Sequence, residues 1–222
     1  MEAIILAGGF GTRLSTVVAD RPKPMADVNG RPFLELLLEH LSKSGFTKVV
    51  LAVGYMHEYI MNHFKDQYLG MEIVYAIETE PLGTGGAVLN AMQYITEDYA
   101  FIINGDTLFK IDFKEMIHDD LIVMAVAYLE KNERYGQVEI DRGYVTRFKE
   151  KETIASGYIN GGIYRINKKH LESLALPKKF SFEKDVLEKQ VYQKPIKAVY
   201  FDTYFIDMGI PEDYDKLKKD LS

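Results

Sequence analysis

The feature that most constrains this chain is the alternation of short apolar runs with segments of helical period. The runs are Ala3–Ala7, Lys48–Val53, Met71–Ile77, Tyr99–Asn104 and Leu121–Leu129. Between the first two lies Arg31–Ser44, where Phe33, Leu34, Leu37, Leu38 and Leu41 recur at helical spacing, with Pro32 near the start and Gly45 just past the end. The same spacing predicts helices over Glu58–Gln67, Thr84–Tyr94 and Phe113–His118. A β-α-β-α rhythm of this kind predicts an α/β fold with a mostly parallel sheet covered on both faces. Such sheets bind their ligands at the carboxyl ends of the strands.

The second half is less regular. Gly136–Ile140 and Tyr144–Phe148, joined around Asp141-Arg142-Gly143, read as a hairpin. A strand at Tyr158–Arg165, a helix after Asn167, another near Phe182–Gln190, a strand at Ile196–Phe201 and a helix from Pro211 follow. No Pro/Ser-rich linker or repeat interrupts the chain, so residues 1–222 are expected to form one domain. The net charge of −6 argues against nucleic acid or an anionic membrane as partner. Cysteine is absent, which excludes disulfides and thiolate metal sites and fits a reducing compartment. The apolar run after Met1-Glu2 is too short for a signal peptide, and Leu121 to Leu129 is too short to span a bilayer. A cytoplasmic protein is expected.

Directly after the first apolar run comes Leu6-Ala7-Gly8-Gly9-Phe10-Gly11-Thr12-Arg13-Leu14. Glycines there let backbone N–H groups approach a ligand closely, and arginine adds a planar charged fork suited to phosphate oxygens. A Walker loop is excluded because no Gly-x4-Gly-Lys-Ser/Thr string occurs. A dinucleotide fingerprint fails at Leu14, and Lys48–Val53 does not end in the acid that would hold a ribose. Pro22-Lys23-Pro24-Met25 follows closely, and its prolines restrict the backbone on either side of the lysine. Lys23 alone reads as a solvated surface charge; beside Arg13 it becomes a candidate second phosphate contact.

These two motifs resemble the signature of the sugar-1-phosphate nucleotidyltransferases. The resemblance continues through Glu78-Thr79-Glu80-Pro81-Leu82-Gly83-Thr84-Gly85-Gly86-Ala87, Asn104-Gly105-Asp106-Thr107, Phe148-Lys149-Glu150-Lys151, Asn160-Gly161-Gly162-Ile163-Tyr164 and Ile206-Asp207-Met208-Gly209. The motifs run in the family's order over nearly the whole chain. The resemblance implies a Rossmann-like, GT-A-like sheet sandwiched by helices, with a small hairpin subregion that takes the sugar. It places the nucleotide against Leu6, Gly8, Gly9, Gly11, Thr12, Arg13, Lys23, Glu78, Glu80, Gly83, Thr84 and Asp106. The sugar phosphate would lie against Gly136, Glu150, Lys151, Asn160 and Gly161. One Mg²⁺ would sit on Asp106 and Asp207, and Arg13, Lys23, Asp106 and Lys151 would be catalytic.

Each carboxylate also has a plainer reading. Asp106 in Asn-Gly-Asp reads as a turn former, and Asp207 as a cap for the helix from Pro211. Lys151 lies in Lys149-Glu150-Lys151-Glu152, which alternates charge as a solvated strand end does. The reaction implied is attack by a sugar-1-phosphate oxygen on the α-phosphorus of a nucleoside triphosphate, with release of pyrophosphate. Glu78 and Glu80 fall where the family reads the base, and a carboxylate suits the N1–H and N2–H₂ donors of guanine. GTP is therefore the favoured nucleotide. In length and motif wording the chain most resembles the branch of the family that uses D-glycero-α-D-manno-heptose 1-phosphate to make GDP-heptose for surface glycans. Uridylyl or thymidylyl transfer to a hexose or N-acetylmuramate 1-phosphate shares nearly all the motifs. A glycosyltransferase would show an Asp-x-Asp metal motif, and a non-catalytic nucleotide-sugar sensor would have lost one of the charged residues. The sequence leaves the oligomeric state open, a homo-oligomer included.

Overall fold

The computed structural model describes residues 1–9, 20–130, 135–149 and 156–222. The predicted runs form β1 (Glu2–Leu6), β4 (Lys48–Val53), β6 (Met71–Ile77) and β7 (Tyr99–Asn104), which lie side by side in the order β7-β1-β4-β6 and all run parallel. The crossovers are α1 (Phe33–Lys43), α2 (His57–Phe64) and α3 (Gly83–Met92). A short ribbon, β2 (Asp27–Val28) with β3 (Arg31–Pro32), precedes α1, and β5 (Gln67–Tyr68) closes the edge antiparallel to β6. The expected helix at Phe113–His118 is only a 3-10 turn, Phe113–Met116, whose N-terminus Asp112 caps through the amide of Lys114.

The sheet continues to ten strands, and there the expectation of a mostly parallel sheet needs correction. β9 (Ile122–Leu129) returns through the hairpin β10 (Gln137–Asp141) and β11 (Tyr144–Lys149) into β12 (Gly157–Asn167). No helical crossover separates β9 from β12 among the described residues, so the two pair antiparallel, and β12 also runs antiparallel to β7. After α4 (Lys168–Ser173), a π-helical turn at Phe182–Leu187 and the short α5 (Glu188–Gln190), β13 (Ile196–Tyr200) joins β9 in parallel. The result is a mixed sheet with a parallel half. Outside it, β8 (Thr107–Phe109) pairs with β14 (Phe205–Asp207) in a separate ribbon that leads into α6 (Pro211–Asp220). Strands of three residues carry too little alternation to announce themselves.

Strand alternation divides the core into two layers. Ala3 and Ile5 face α1, α2 and α6 through Leu34, Leu38, Ile60 and Leu217, whereas Ile4 faces α3, α4 and the π turn through Val88, Leu171 and Phe182. At the foot of β1, Glu2 is 6% exposed. Its carboxylate accepts from the Thr96 amide at 2.6 Å and hydroxyl at 2.5 Å and from the Glu97 amide at 3.3 Å. Burial pushes this carboxyl up, but the three donors outweigh it and hold it below its ordinary value. A carboxylate lowered on folding contributes stability above its unfolded value and loses it as pH falls through the folded one. Glu2→Gln is therefore expected to cost about 1–3 kcal/mol at neutral pH. The gap from wild type should close below the usual carboxylate range, as read by urea titrations at neutral and acidic pH.

Candidate active site

Leu6 of β1 stands in register with both Ala52 of β4 and Asn104 of β7. The loops after these strands therefore leave the sheet at one level and leave a concave space between them. A cavity of about 780 Å³ opens there, lined by Leu6, Gly8, Gly9, Ala52, Gly54, Ile77, Glu78, Asn104, Gly105 and Asp106 among others. Its place at the carboxyl ends of the parallel strands is the one expected for a ligand site in such a sheet.

Lys23 reaches this cavity from a 3-10 turn, Lys23–Met25, closed by bonds from the Met25 amide to the Pro22 carbonyl and from the Ala26 amide to the Lys23 carbonyl. Its ammonium donates to Asp106 Oδ2 at 2.5 Å, with the lysine side chain 14% exposed and the aspartate 35%. A cation and an anion are thus held together at the cavity wall. The β8–β14 ribbon brings Asp207 beside the Asp106 segment, where it pairs in register with Thr107 and the Met208 amide donates to the Asp106 carbonyl at 2.9 Å, although Asp207 does not itself line the cavity. The N-cap position of α6 is Ile210, which has no side-chain cap, so Asp207 stands three residues before the place its capping reading needs. Asp106, in the turn between β7 and β8, and Asp207, at the end of β14, each offer hard oxygen donors. Among the described residues no group of three or more His, Cys, Asp or Glu side chains is placed to enclose a metal. A pair of carboxylates that leaves positions for phosphate oxygens and water fits Mg²⁺.

On the opposite wall, Glu78 follows β6 and accepts from the Leu82 amide at 3.1 Å. Burial pushes its carboxyl up, against the lowering effect of that amide. A Cβ on Gly8 would lie 2.8 Å from Glu78 Oε1, so the glycine is what lets the two loops close on each other. Glu80 lines the cavity but turns outward, pairing with Lys178 at 2.5 Å.

Gly83 and Thr84 open α3 and line the cavity, yet both also hold a strap of residues 178–183. Gly83 has φ +72°, and a Cβ there would meet the Phe180 carbonyl at 2.5 Å. The strap is stitched by the Phe180 amide to the Leu82 carbonyl at 3.1 Å and the Gly85 amide to the Phe180 carbonyl at 3.0 Å. The Thr84 hydroxyl donates to Glu183 at 2.8 Å and accepts from the Phe182 amide at 2.9 Å.

Asn160 and Gly161 sit at an irregularity in β12, between its pairings at Asn160 and Tyr164 with β9. The Asn160 side chain donates to the Tyr164 hydroxyl at 2.6 Å and accepts from the Gly162 amide at 3.0 Å. Gly161 makes room for the Phe109 ring, and the Gly136 carbonyl accepts from the Asn160 amide at 3.5 Å. None of these three lines the 780 Å³ cavity. Gly11, Thr12, Arg13, Glu150 and Lys151 lie outside the described residues. The sequence reading missed Gly54, Tyr55, His57 and Glu183, which also line the cavity. The first three follow β4 as Gly8 follows β1, a positional signal that was available. Glu183 is 99 residues from Thr84 and had none.

The family model described as nucleotidyl transferase matches residues 2–222. A D-glycero-α-D-manno-heptose 1-phosphate guanylyltransferase from Aneurinibacillus thermoaerophilus is 46% identical, over 100% of this chain and 98% of the relative. One of the same description from Campylobacter jejuni is 45% identical over 96% and 97%. The crystal structure of HddC from Yersinia pseudotuberculosis complexed with GMP-PN superposes with a TM-score of 0.90 at 40% identity, covering 100% of this chain and 99% of that one. With strands, cavity and charged pair arranged as above, this chain belongs to the nucleotidyl transferase family.

Proposed function

We propose that the chain transfers the guanylyl group of GTP to D-glycero-α-D-manno-heptose 1-phosphate, releasing pyrophosphate and forming GDP-heptose. The observation that carries the reading is a single cavity with Glu78 on one wall and Lys23 with Asp106 on the other. Glu78 is half-buried and its carboxylate offers the acceptors that guanine's N1–H and N2–H₂ require. Uracil and thymine present one N–H between two carbonyls and suit a carboxylate less well. The heptose rests on the two relatives of that description, each matched over nearly its whole length.

The nucleophile needs no general base. A phosphate monoester loses its second proton near pH ~6, so the acceptor oxygen is already anionic at neutral pH. The difficulty is to bring two polyanions into line, and cations with fixed geometry address it. Lys23, drawn away from Asp106 by phosphate oxygens, would hold the triphosphate and stabilise charge on the departing pyrophosphate. Asp106 and Asp207 would hold Mg²⁺, which when bound supplies further charge neutralisation at the phosphate oxygens. Arg13 would grip the triphosphate beside Gly8, Gly9, Gly11 and Thr12, and Lys151 with Glu150, Asn160, Gly161 and Gly136 would serve the sugar phosphate. The sheet that runs unbroken through both halves supports residues 1–222 acting as one domain. A cytoplasmic setting is part of the proposal; no helix among the described residues is long and apolar enough to cross a membrane.

A pyrophosphate-release screen that crosses GTP, UTP, dTTP and CTP with heptose, mannose, glucose and N-acetylmuramate 1-phosphates tests the reading. The highest rate is expected for GTP with the heptose, and a clear preference for UTP or dTTP would reject it. Lys23→Met and Asp106→Asn should each lower kcat by roughly 100-fold or more with little change in melting temperature. Near-wild-type turnover in either variant removes that residue from the mechanism.

Glu78 should give the reaction a pH dependence. Its raised carboxyl takes up a proton sooner than an ordinary glutamate as pH falls, and the protonated group loses acceptor capacity toward guanine. kcat/KM for GTP should therefore fall on acidification at a pH above that of an ordinary glutamate. Glu78→Gln should flatten that profile and weaken the preference for GTP over UTP. The same variant removes a carboxylate whose charging opposes folding, so its melting temperature at neutral pH should not drop.

A further inference from the structure

Glu183 is a cavity-lining carboxylate that the mechanism above does not use. It comes from the π turn at Phe182–Leu187, yet it stands on the α3 rim of the nucleotide cavity. Its Oε2 accepts from the Thr84 hydroxyl at 2.8 Å and from the Ser181 hydroxyl at 3.0 Å. Both donors converge on one oxygen, and no described residue bonds Oε1. Thr84 cannot donate to a ligand in its stead, because its single proton is committed to Glu183.

The chemistry of the two substrates narrows what can meet Oε1. A phosphate is repelled by a carboxylate, and the lysine that suits phosphate is held across the cavity at Asp106. A ligand that displaces water from this partly buried carboxylate must offer it an N–H or O–H donor. The donor edge of guanine is taken by Glu78 in the reading above. The donors that remain are the hydroxyl groups of the ribose and of the sugar. We propose that Glu183 Oε1 accepts a hydrogen bond from a hydroxyl of bound substrate, so that the strap closing over α3 also reads a sugar ring. This specificity contact rests on the guanylyltransferase reading. Its geometry is set in advance by strap bonds that do not involve Oε1, which spares the ordering cost on binding.

The test compares Glu183→Ala with Thr84→Val, which breaks the same stitch but keeps the carboxylate. Dissociation constants are measured by calorimetry for GTP, 2′-deoxy-GTP and 3′-deoxy-GTP. They are also measured for heptose 1-phosphate, mannose 1-phosphate and its monodeoxy analogues in the presence of a non-reacting GTP analogue. Melting temperatures report whether each variant is folded. Glu183→Ala should weaken one natural substrate by roughly tenfold or more and leave unchanged the affinity of the analogue that lacks the hydroxyl it meets. The insensitive analogue identifies the ring, ribose or sugar. Thr84→Val should affect natural substrates and analogues by one common factor. The proposal is overturned if Glu183→Ala weakens all the ligands equally, or none of them. Failure of the underlying reading looks different: wild type would then bind UTP or dTTP in preference to GTP, while the comparison of each nucleotide with its deoxy form would still report on Glu183.

Discussion

The register of β1 between β4 and β7 is the constraint on which the rest of this molecule depends. Because Leu6 is level with Ala52 and Asn104, three loops start from one plane, and each supplies a different part of the site. The loop after β1 brings glycines, the loop after β4 brings Gly54, Tyr55 and His57, and the loop after β7 brings Asp106. A slip of one residue in either pairing would turn Ile4 and Ile5 to the wrong layers and bury the loop starts at unequal depths. The apolar pattern that excludes this slip is therefore also what assembles the cavity. Packing and function are specified by the same side chains.

Most of the parallel half was legible because its signals are local. Val49 to Val53 is an unbroken apolar stretch, and the Leu34, Leu38, Leu41 stripe repeats within one helix, so neither needs a distant partner to be recognised. The Gly8–Gly9 loop and Asp106 were legible for the same reason, each standing directly after such a stretch. What escaped was pairing between remote segments. The β8–β14 ribbon is built from three-residue strands that show no alternation until they meet. The antiparallel course of β12 follows from its return through a hairpin, a matter of connection that composition does not encode. Glu80 looked equivalent to Glu78, but Lys178, far along the chain, separates them: one is exposed and paired, the other half-buried with its carboxyl raised.

The Gly83-Thr84-Gly85-Gly86 stretch has a second use that its sequence does not announce. In sequence they invite the reading of a backbone approaching a nucleotide. In the fold Gly83 also admits the backbone of the 178–183 strap, whose carbonyl at Phe180 occupies the space a side chain would fill. The helix start thus has two neighbours, the cavity on one side and the strap on the other. The second half of the chain is thereby fastened to the parallel half at the rim of the cavity.

The β8–β14 ribbon has a consequence for how the protein comes into being. Thr107 and Asp207 are register partners, yet about a hundred residues of synthesis separate them, or roughly 5–20 s at ribosomal rates. A nascent chain that has completed β8 already contains the glycine loop, Lys23, Asp106 and all four strands of the parallel half. It lacks the strand that positions the second carboxylate. If Asp207 acts as proposed, activity is withheld until translation has passed β14. A product truncated before β14 would carry Asp106 without Asp207.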